Sequence, residues 1–258
     1  MCLILFAWKM HENFPLVLAA NRDEFYERPS AAAAFWEDAP DLLAGRDLRE
    51  GGTWLGITRA GRFAALTNYR DPESLKIGAP SRGGLTSNYL RGRDIPEAYL
   101  NRIRHDADRF NGFSLLVGDP AGLFYFSNRG ALQRLKPGIY GLSNRLLDTP
   151  WPKVERGKTA LLALLKQKKD LLPEALFALL TNRTRPPDDR LPDTGVGLTW
   201  ERILSPLFIE SPVYGTRSST VLLIDRRGSV TFAERVFNGA ADPQTVRFTF
   251  CVKGKSGD

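Results

Sequence analysis

Cysteine, histidine and methionine each occur only twice in the 258 residues. The two cysteines, Cys2 and Cys251, are too few for a disulfide framework. No C-x-x-C and no Cys/His cluster is present, so a structural zinc or other metal site is not expected. The histidines, His11 and His105, have no nucleophile-elbow sequence beside them. G-x-S-x-G is absent too, which argues against a Ser-His-Asp hydrolase. His11-Glu12 is not followed by the second histidine of a zinc helix, and neither a phosphate-binding loop nor a dinucleotide fingerprint appears. No apolar run approaches the roughly 20 residues that span a bilayer. The start, MCLILFAWKMHENF, lacks a basic region before its apolar run and a small-residue cleavage site after it. It reads as a mature strand, and a cytoplasmic, reducing setting is the expectation.

What is present is ordinary for a globular protein: 43% hydrophobic and 25% charged residues. The formal charge is +7, but the charges are interleaved. The most basic stretch, Arg183 to Arg190, also holds Asp188 and Asp189. The excess implies mild attraction for anionic substrates and no nucleic-acid partner.

Met1 to Trp8 and Pro15 to Ala20 are apolar runs separated by a polar turn, which predicts a hairpin covered on both faces. Further strands are predicted over 53–58, 62–67, 113–118, 123–127, 138–143, 219–224, 229–234 and 246–252, several joined by Gly-containing turns. Helices are predicted over 85–91, 95–110, 150–169 and 173–181. In the third, Thr149 is the N-cap, Pro150 the first helical residue, and Val154, Leu161, Leu162 and Leu165 the apolar stripe. Residues 182–197, rich in Pro, Asp and Arg, read as a surface loop. Strands and helices are thus segregated, which argues for an α+β fold. Strands apolar on both faces fit a four-layer αββα sandwich of two antiparallel sheets.

With histidine scarce, the chemistry has to come from elsewhere. Cys2 follows Met1 directly. Removal of Met1 would leave a thiol and a free α-amine on one residue. A thiolate is the nucleophile of such a pair. An α-amine, with a pKa near ~7.7–8.0, is suited to act as its base. A buried structural cysteine is the plainer alternative. Asn21-Arg22-Asp23-Glu24 ends the second apolar run. In a hairpin, Arg22 and Asp23 return to the end where Cys2 begins. There Arg22 lowers the thiol pKa and Asp23 accepts from the α-ammonium. Adjacent strand residues face opposite sides, so both reach Cys2 only where the strand has ended.

The chain resembles the NRDE family (transport and Golgi organization protein 2 homologues). The resemblance is carried by Met1-Cys2, Asn21 to Tyr26, Gly51 to Gly56 and Leu66 to Tyr69. It continues through Asn111 to Phe113, Asn128 to Gly130, Tyr140 to Asn144, Trp151 to Lys153, Tyr214 to Arg217 and Phe232 to Arg235. It implies one domain over 1–258 and an N-terminal nucleophile (Ntn) hydrolase-like sandwich, nearest the penicillin V acylase and bile salt hydrolase branch. By resemblance, Cys2 is the nucleophile, Arg22 and Asp23 the pair beside it, Asn144 an oxyanion donor and Arg217 a late arginine. Asn68 is a second candidate donor. In that branch the Arg and Asp are spaced further apart than Arg22 and Asp23. Asn21, Asn68, Trp54, Tyr69 and Tyr214 are expected substrate-binding residues, with Trp54, Tyr69, Trp151 and Tyr214 as walls of an apolar acyl pocket. The implied substrate is a small acylated molecule, an amide or thioester, with no cofactor. The alternative is a non-catalytic carrier or trafficking factor handling lipid or haem.

Overall fold

The computed structural model describes residues 2–167, 171–237 and 242–252. In chain order the elements begin with β1 (Cys2–Trp8), β2 (Leu16–Phe25), β3 (Ser30–Trp36), β4 (Ala39–Asp47), β5 (Leu55–Thr58) and β6 (Phe63–Asn68). Two helices follow, α1 (Gly83–Arg91) and α2 (Pro96–Arg104), then β7 (Phe113–Asp119), β8 (Gly122–Ser127), β9 (Gln133–Arg134) and β10 (Gly138–Leu142). The chain continues through α3 (Pro152–Leu165), α4 (Pro173–Leu180) and α5 (Leu198–Leu204), and closes with β11 (Tyr214–Ile224), β12 (Ser229–Val236) and β13 (Gln244–Cys251).

The strands form two antiparallel sheets. One runs β10-β1-β2-β11-β12-β13 and the other β3-β4-β5-β6-β7-β8-β9. The alternation of side chains across a strand assigns each face. On β1 and β2, Ile4, Phe6, Leu18 and Ala20 point between the sheets, against Leu43, Ile57, Phe63 and Leu116. Leu3, Leu5, Val17 and Ala19 point the other way, onto Val154 and Leu161 of α3 and Leu176 and Phe177 of α4. The second sheet repeats this: Leu42, Ala64 and Leu115 meet Leu85 and Tyr89 of α1 and Leu100 and Ile103 of α2. The architecture is the expected αββα sandwich. Each strand of the central hairpin is buried on both faces because it has both a sheet and helices to cover it.

The predicted hairpin forms in register, Cys2 opposite Arg22 and Trp8 opposite Leu16. Several boundaries differ. β2 runs on to Phe25, through residues whose polar side chains find partners inside the fold. Trp151, not Thr149, caps α3, and Pro152 takes the first helical position. Residues 168–169 of the predicted helix lie outside the described residues. The predicted helix over 95–110 ends at Arg104 and is followed by a single tight turn over Ala107–Arg109. β3, β4 and α5 were not predicted. β3 reads Ser-Ala-Ala-Ala-Ala-Phe-Trp, rich in a good helix former and without period-2 alternation.

Of the predicted stripe on α3, Leu161 is fully buried, whereas Leu162 is 39% exposed. Truncating a buried leucine removes its transfer free energy and leaves a cavity. Urea denaturation of Leu161→Ala is therefore expected to show a loss of about 2–5 kcal/mol. Leu162→Ala is expected to stay within about 1 kcal/mol of the parent.

Candidate functional site

Cys2 opens β1 and is 8% exposed. It faces the space between the sheets, on the same side as Ile4 and Phe6. Its neighbours close one end of that space into a cleft of about 280 Å³. Arg22, Asp47, Trp54, Asn68, Arg82, Arg217 and Glu234 are among the residues lining it.

Arg22 stands directly across the ladder from Cys2 and shares its face. Its side chain is 12% exposed, and its Nη2 lies 4.0 Å from carboxylate oxygens of both Glu24 and Asp47. Asp47 is held in turn by Arg28, whose Nε donates to it at 2.7 Å. Asp23 is one residue further along, so it takes the opposite face, the one that carries Asn21. The strand has not ended, and Arg22 and Asp23 approach Cys2 from different sides. Asp23 is fully buried at the floor of the cleft and accepts a hydrogen bond from Thr216 Oγ1 at 2.7 Å. Its backbone N–H bonds to the Cys2 sulfur.

Arg217 reaches the cleft through a β-bulge. Thr216 pairs with Asp23 and Ser218 with Arg22, which leaves Arg217 as the extra residue. Bulges re-aim side chains in this way. The Arg217 Nη1 donates to the backbone oxygens of Phe25, Tyr26 and Arg28 at 3.0–3.1 Å. It thereby anchors the chain leaving β2 along the cleft wall.

Burial dominates the titration of this centre. It raises the Cys2 thiol above its ordinary value; the nearby Asp23 also raises it and Arg22 lowers it. Burial raises the Asp23 carboxyl, opposed chiefly by Lys153. It raises the Glu234 carboxyl as well, although that side chain accepts from the Ala33 N–H at 2.7 Å.

The other expected site residues separate into two groups. Asn68 and Trp54 line the cleft beside Cys2, Arg22, Asp23 and Arg217. Asn144, Asn21, Tyr69 and Tyr214 are not among its lining residues. Asn144 is fully buried, and its Nδ2 donates to the Asn68 backbone oxygen at 3.0 Å, so it supports Asn68 from behind. Asn21 is corrected from a substrate contact to a structural bridge. It lies on the helix side, donates to Leu180 O at 3.0 Å and Leu207 O at 2.8 Å, and accepts from Ser219 Oγ at 2.6 Å. Tyr214 is buried between Phe25 and Trp200, its hydroxyl on the Asp23 backbone oxygen at 2.9 Å. The Tyr69 ring lies beneath the Arg145 guanidinium. Of the four aromatics expected as walls, only Trp54 lines the cleft, which is walled instead mainly by charged and polar side chains.

Sequence reasoning gave no role to Lys153, Glu234 or the buried Arg70–Glu201 ion pair at 2.7 Å. A signal existed for the first two. Lys153 shares the helical spacing of Gly157 and Leu161, so a cation falls on a buried stripe. Glu234 shares the period-2 face of Val230 and Phe232.

The family model of Transport and Golgi organisation 2 matches residues 1–239. The chain belongs to that family. It is 39% identical to the Transport and Golgi organization protein 2 homolog of Bos taurus, over 94% of this chain and 95% of that one. It is 38% identical to the Homo sapiens homolog, over 91% and 92%. Among solved structures, the C2A mutant of conjugated bile acid hydrolase from Clostridium perfringens superposes with a TM-score of 0.53 at 9% identity, covering 97% of this chain and 96% of that one. A Caenorhabditis elegans ortholog of N-acylethanolamine-hydrolyzing acid amidase gives 0.50 at 11% identity, over 86% and 92%. The family member described here therefore has an Ntn-hydrolase fold. Among the described residues, no helix is long and apolar enough to cross a membrane.

Replacing Asn21 by alanine orphans two buried carbonyls, at a cost of roughly 1–3 kcal/mol. Asn21→Ala is expected to lower the urea midpoint accordingly. Where the variant is folded, iodoacetamide should alkylate its Cys2 at the parental rate. A changed rate would return Asn21 to the cleft.

Proposed function

We propose that this protein is a cysteine amidohydrolase of the N-terminal nucleophile type, acting on the amide or thioester bond of a small acylated molecule. One observation carries the reading. Cys2 begins its strand at the floor of a cleft, with Arg22 opposite it in the ladder and the Asp23 carboxyl at the same strand end. That is the end from which the α-amine of Cys2 would project once Met1 is removed. Met1 itself lies outside the described residues. The fold neighbours support the reading at the level of architecture, since both are named as hydrolases.

In the proposed reaction the α-amine takes the thiol proton and the sulfur attacks the acyl carbonyl. The resulting oxyanion is held by the Asn68 carboxamide, which Asn144 backs, and by a backbone N–H. Collapse breaks the bond to the leaving nitrogen or sulfur, which receives the proton from the α-ammonium. Water then attacks the acyl-cysteine thioester, giving the carboxylic acid and the free thiol. A thiol raised by burial is a poor nucleophile at rest. The ammonium formed on the same residue supplies the opposing charge. Asp23 accepts from that ammonium, and Arg22 and Arg217 offset the negative charge gathered in the cleft.

The carrier reading with haem fits these residues poorly. His11 lies in the exposed turn after β1 and His105 at the end of α2, both outside the cleft. Cys2 is buried among polar and charged groups, not beside an open apolar face.

The test is mass spectrometry of the processed chain mixed with acyl amides and acyl thioesters and quenched within one turnover. An acyl adduct on Cys2 is expected, absent from Cys2→Ala and from a fusion that keeps residues ahead of Cys2. Asn68→Ala is expected to slow its formation by about 10²–10³, the usual loss for one oxyanion donor. Processed protein that forms no adduct with either donor class would overturn the assignment.

A further inference from the structure

Behind the floor of the cleft lies a group of buried charges that the proposed reaction does not use. Lys153 stands in the first turn of α3 and is 2% exposed. Its Nζ donates to Leu204 O, at the end of α5, at 3.0 Å. A backbone carbonyl satisfies one of its three donors and none of its charge. A buried cation needs a negative partner. Asp23 meets that need: it is fully buried on the helix-side face of β2, held by Thr216, and Lys153 is the strongest opposing charge it feels.

We propose that Lys153 is a positioning residue of the Cys2 centre, the buried cation that holds the negative charge of Asp23 at the end of β1. Its bearing on catalysis rests on the reading of Cys2 as nucleophile. Its bearing on Asp23 does not. The remaining charges around the pair are few. Lys153 also faces Arg70, whose own carboxylate partner is Glu201 of α5, and the Cys2 thiol. Asp23 also faces Arg22 on its own strand, Arg70 and the chain's amino terminus. Tyr214 of β11 touches its backbone through the hydroxyl. Burial lowers the Lys153 ammonium to about 8, so it stays protonated over pH 5–7.

The same numbers supply a test that needs no substrate. Burial raises the Asp23 carboxyl above 3.8, so the folded chain loses stability as pH rises through the folded value and the buried group must ionise. Without Lys153 that loss grows. Lys153→Met is therefore expected to lose roughly twice as much melting temperature at pH 7 as at pH 5. In an Asp23→Asn background the added loss at pH 7 is expected to disappear. A side chain that merely packs against Leu204 would cost the same at both pH values and in both backgrounds, and that result would overturn the proposal. If Lys153→Met fails to fold at either pH, the double variant decides: recovery of folding supports the coupling, and no recovery sinks it. For the reaction, the acid limb of acyl-adduct formation is expected to move to higher pH in Lys153→Met and to return in Lys153→Arg. Absence of any adduct in the parent would defeat the hydrolase reading and leave the melting result standing.

Discussion

Everything at the site depends on the register in which β1 pairs with β2. A slip of one residue in a strand exchanges its two faces. Here that slip would drive Leu3 and Leu5 between the sheets and turn Cys2 toward the helices, away from Arg22. Both faces of this hairpin are packed, against the second sheet on one side and α3 and α4 on the other. Each fully buried leucine or phenylalanine contributes about 1.5–3 kcal/mol. The hydrophobic pattern of sixteen or so residues thus fixes where one sulfur atom points. Asn21 adds a polar lock, since its carboxamide is bonded to the ends of two segments of the helical layer and to β11.

The same geometry explains why so much charge is gathered at one end of an otherwise apolar sandwich. Arg22 and Asp23 are neighbours in sequence but point to opposite faces, so the strand delivers a cation to the cleft and an anion to its floor. Each then needs compensation from its own side. On the cleft side Arg22 has Glu24 and Asp47, and Asp47 is shared with Arg28. On the helix side Asp23 has Thr216 and the field of Lys153. Isolated charges in such surroundings are costly. A set of complementary charges confined to the strand end is the arrangement that lets titratable groups sit beside a buried thiol without unfolding the chain.

The layers of this fold were legible in sequence because they rest on hydrophobic periodicity. The runs at 2–8 and 16–20 named the central hairpin, and the Gly-containing turns at 59–61 and 225–228 named two others. What failed was local and has physical causes. The alanine-rich β3 carries no alternation, and its partner β4 buries only the middle of its length. Leu162 fits an apolar stripe by spacing yet points to solvent, since α3 presents Gly157 and Leu161 to Leu5 and leaves the adjoining position outside. At the site, Arg22, Asp23 and Arg217 were found from their motif blocks, but the expected aromatic pocket was not. Aromatic residues bury well almost anywhere, so their presence in a motif block does not say which cavity they face. Tyr214 packs behind Asp23 and Tyr69 beneath Arg145.

The cleft's own chemistry narrows what such a centre can do. With the two histidines elsewhere, no imidazole is available to carry a proton at neutral pH. The carboxyls nearest the sulfur, Asp23 and Glu234, are both pushed upward by burial and sit in fixed hydrogen bonds to Thr216 and Ala33. Guanidinium groups stabilise charge but do not exchange protons. A proton carrier for the thiol has to be small, close and near neutral in pKa, and an α-amine on the nucleophile itself meets all three conditions. The buried acids and arginines then have a consistent purpose under the proposed reading: they orient that amine and balance the charge it gains, while the proton moves over the shortest path the chain offers, between two atoms of the same residue.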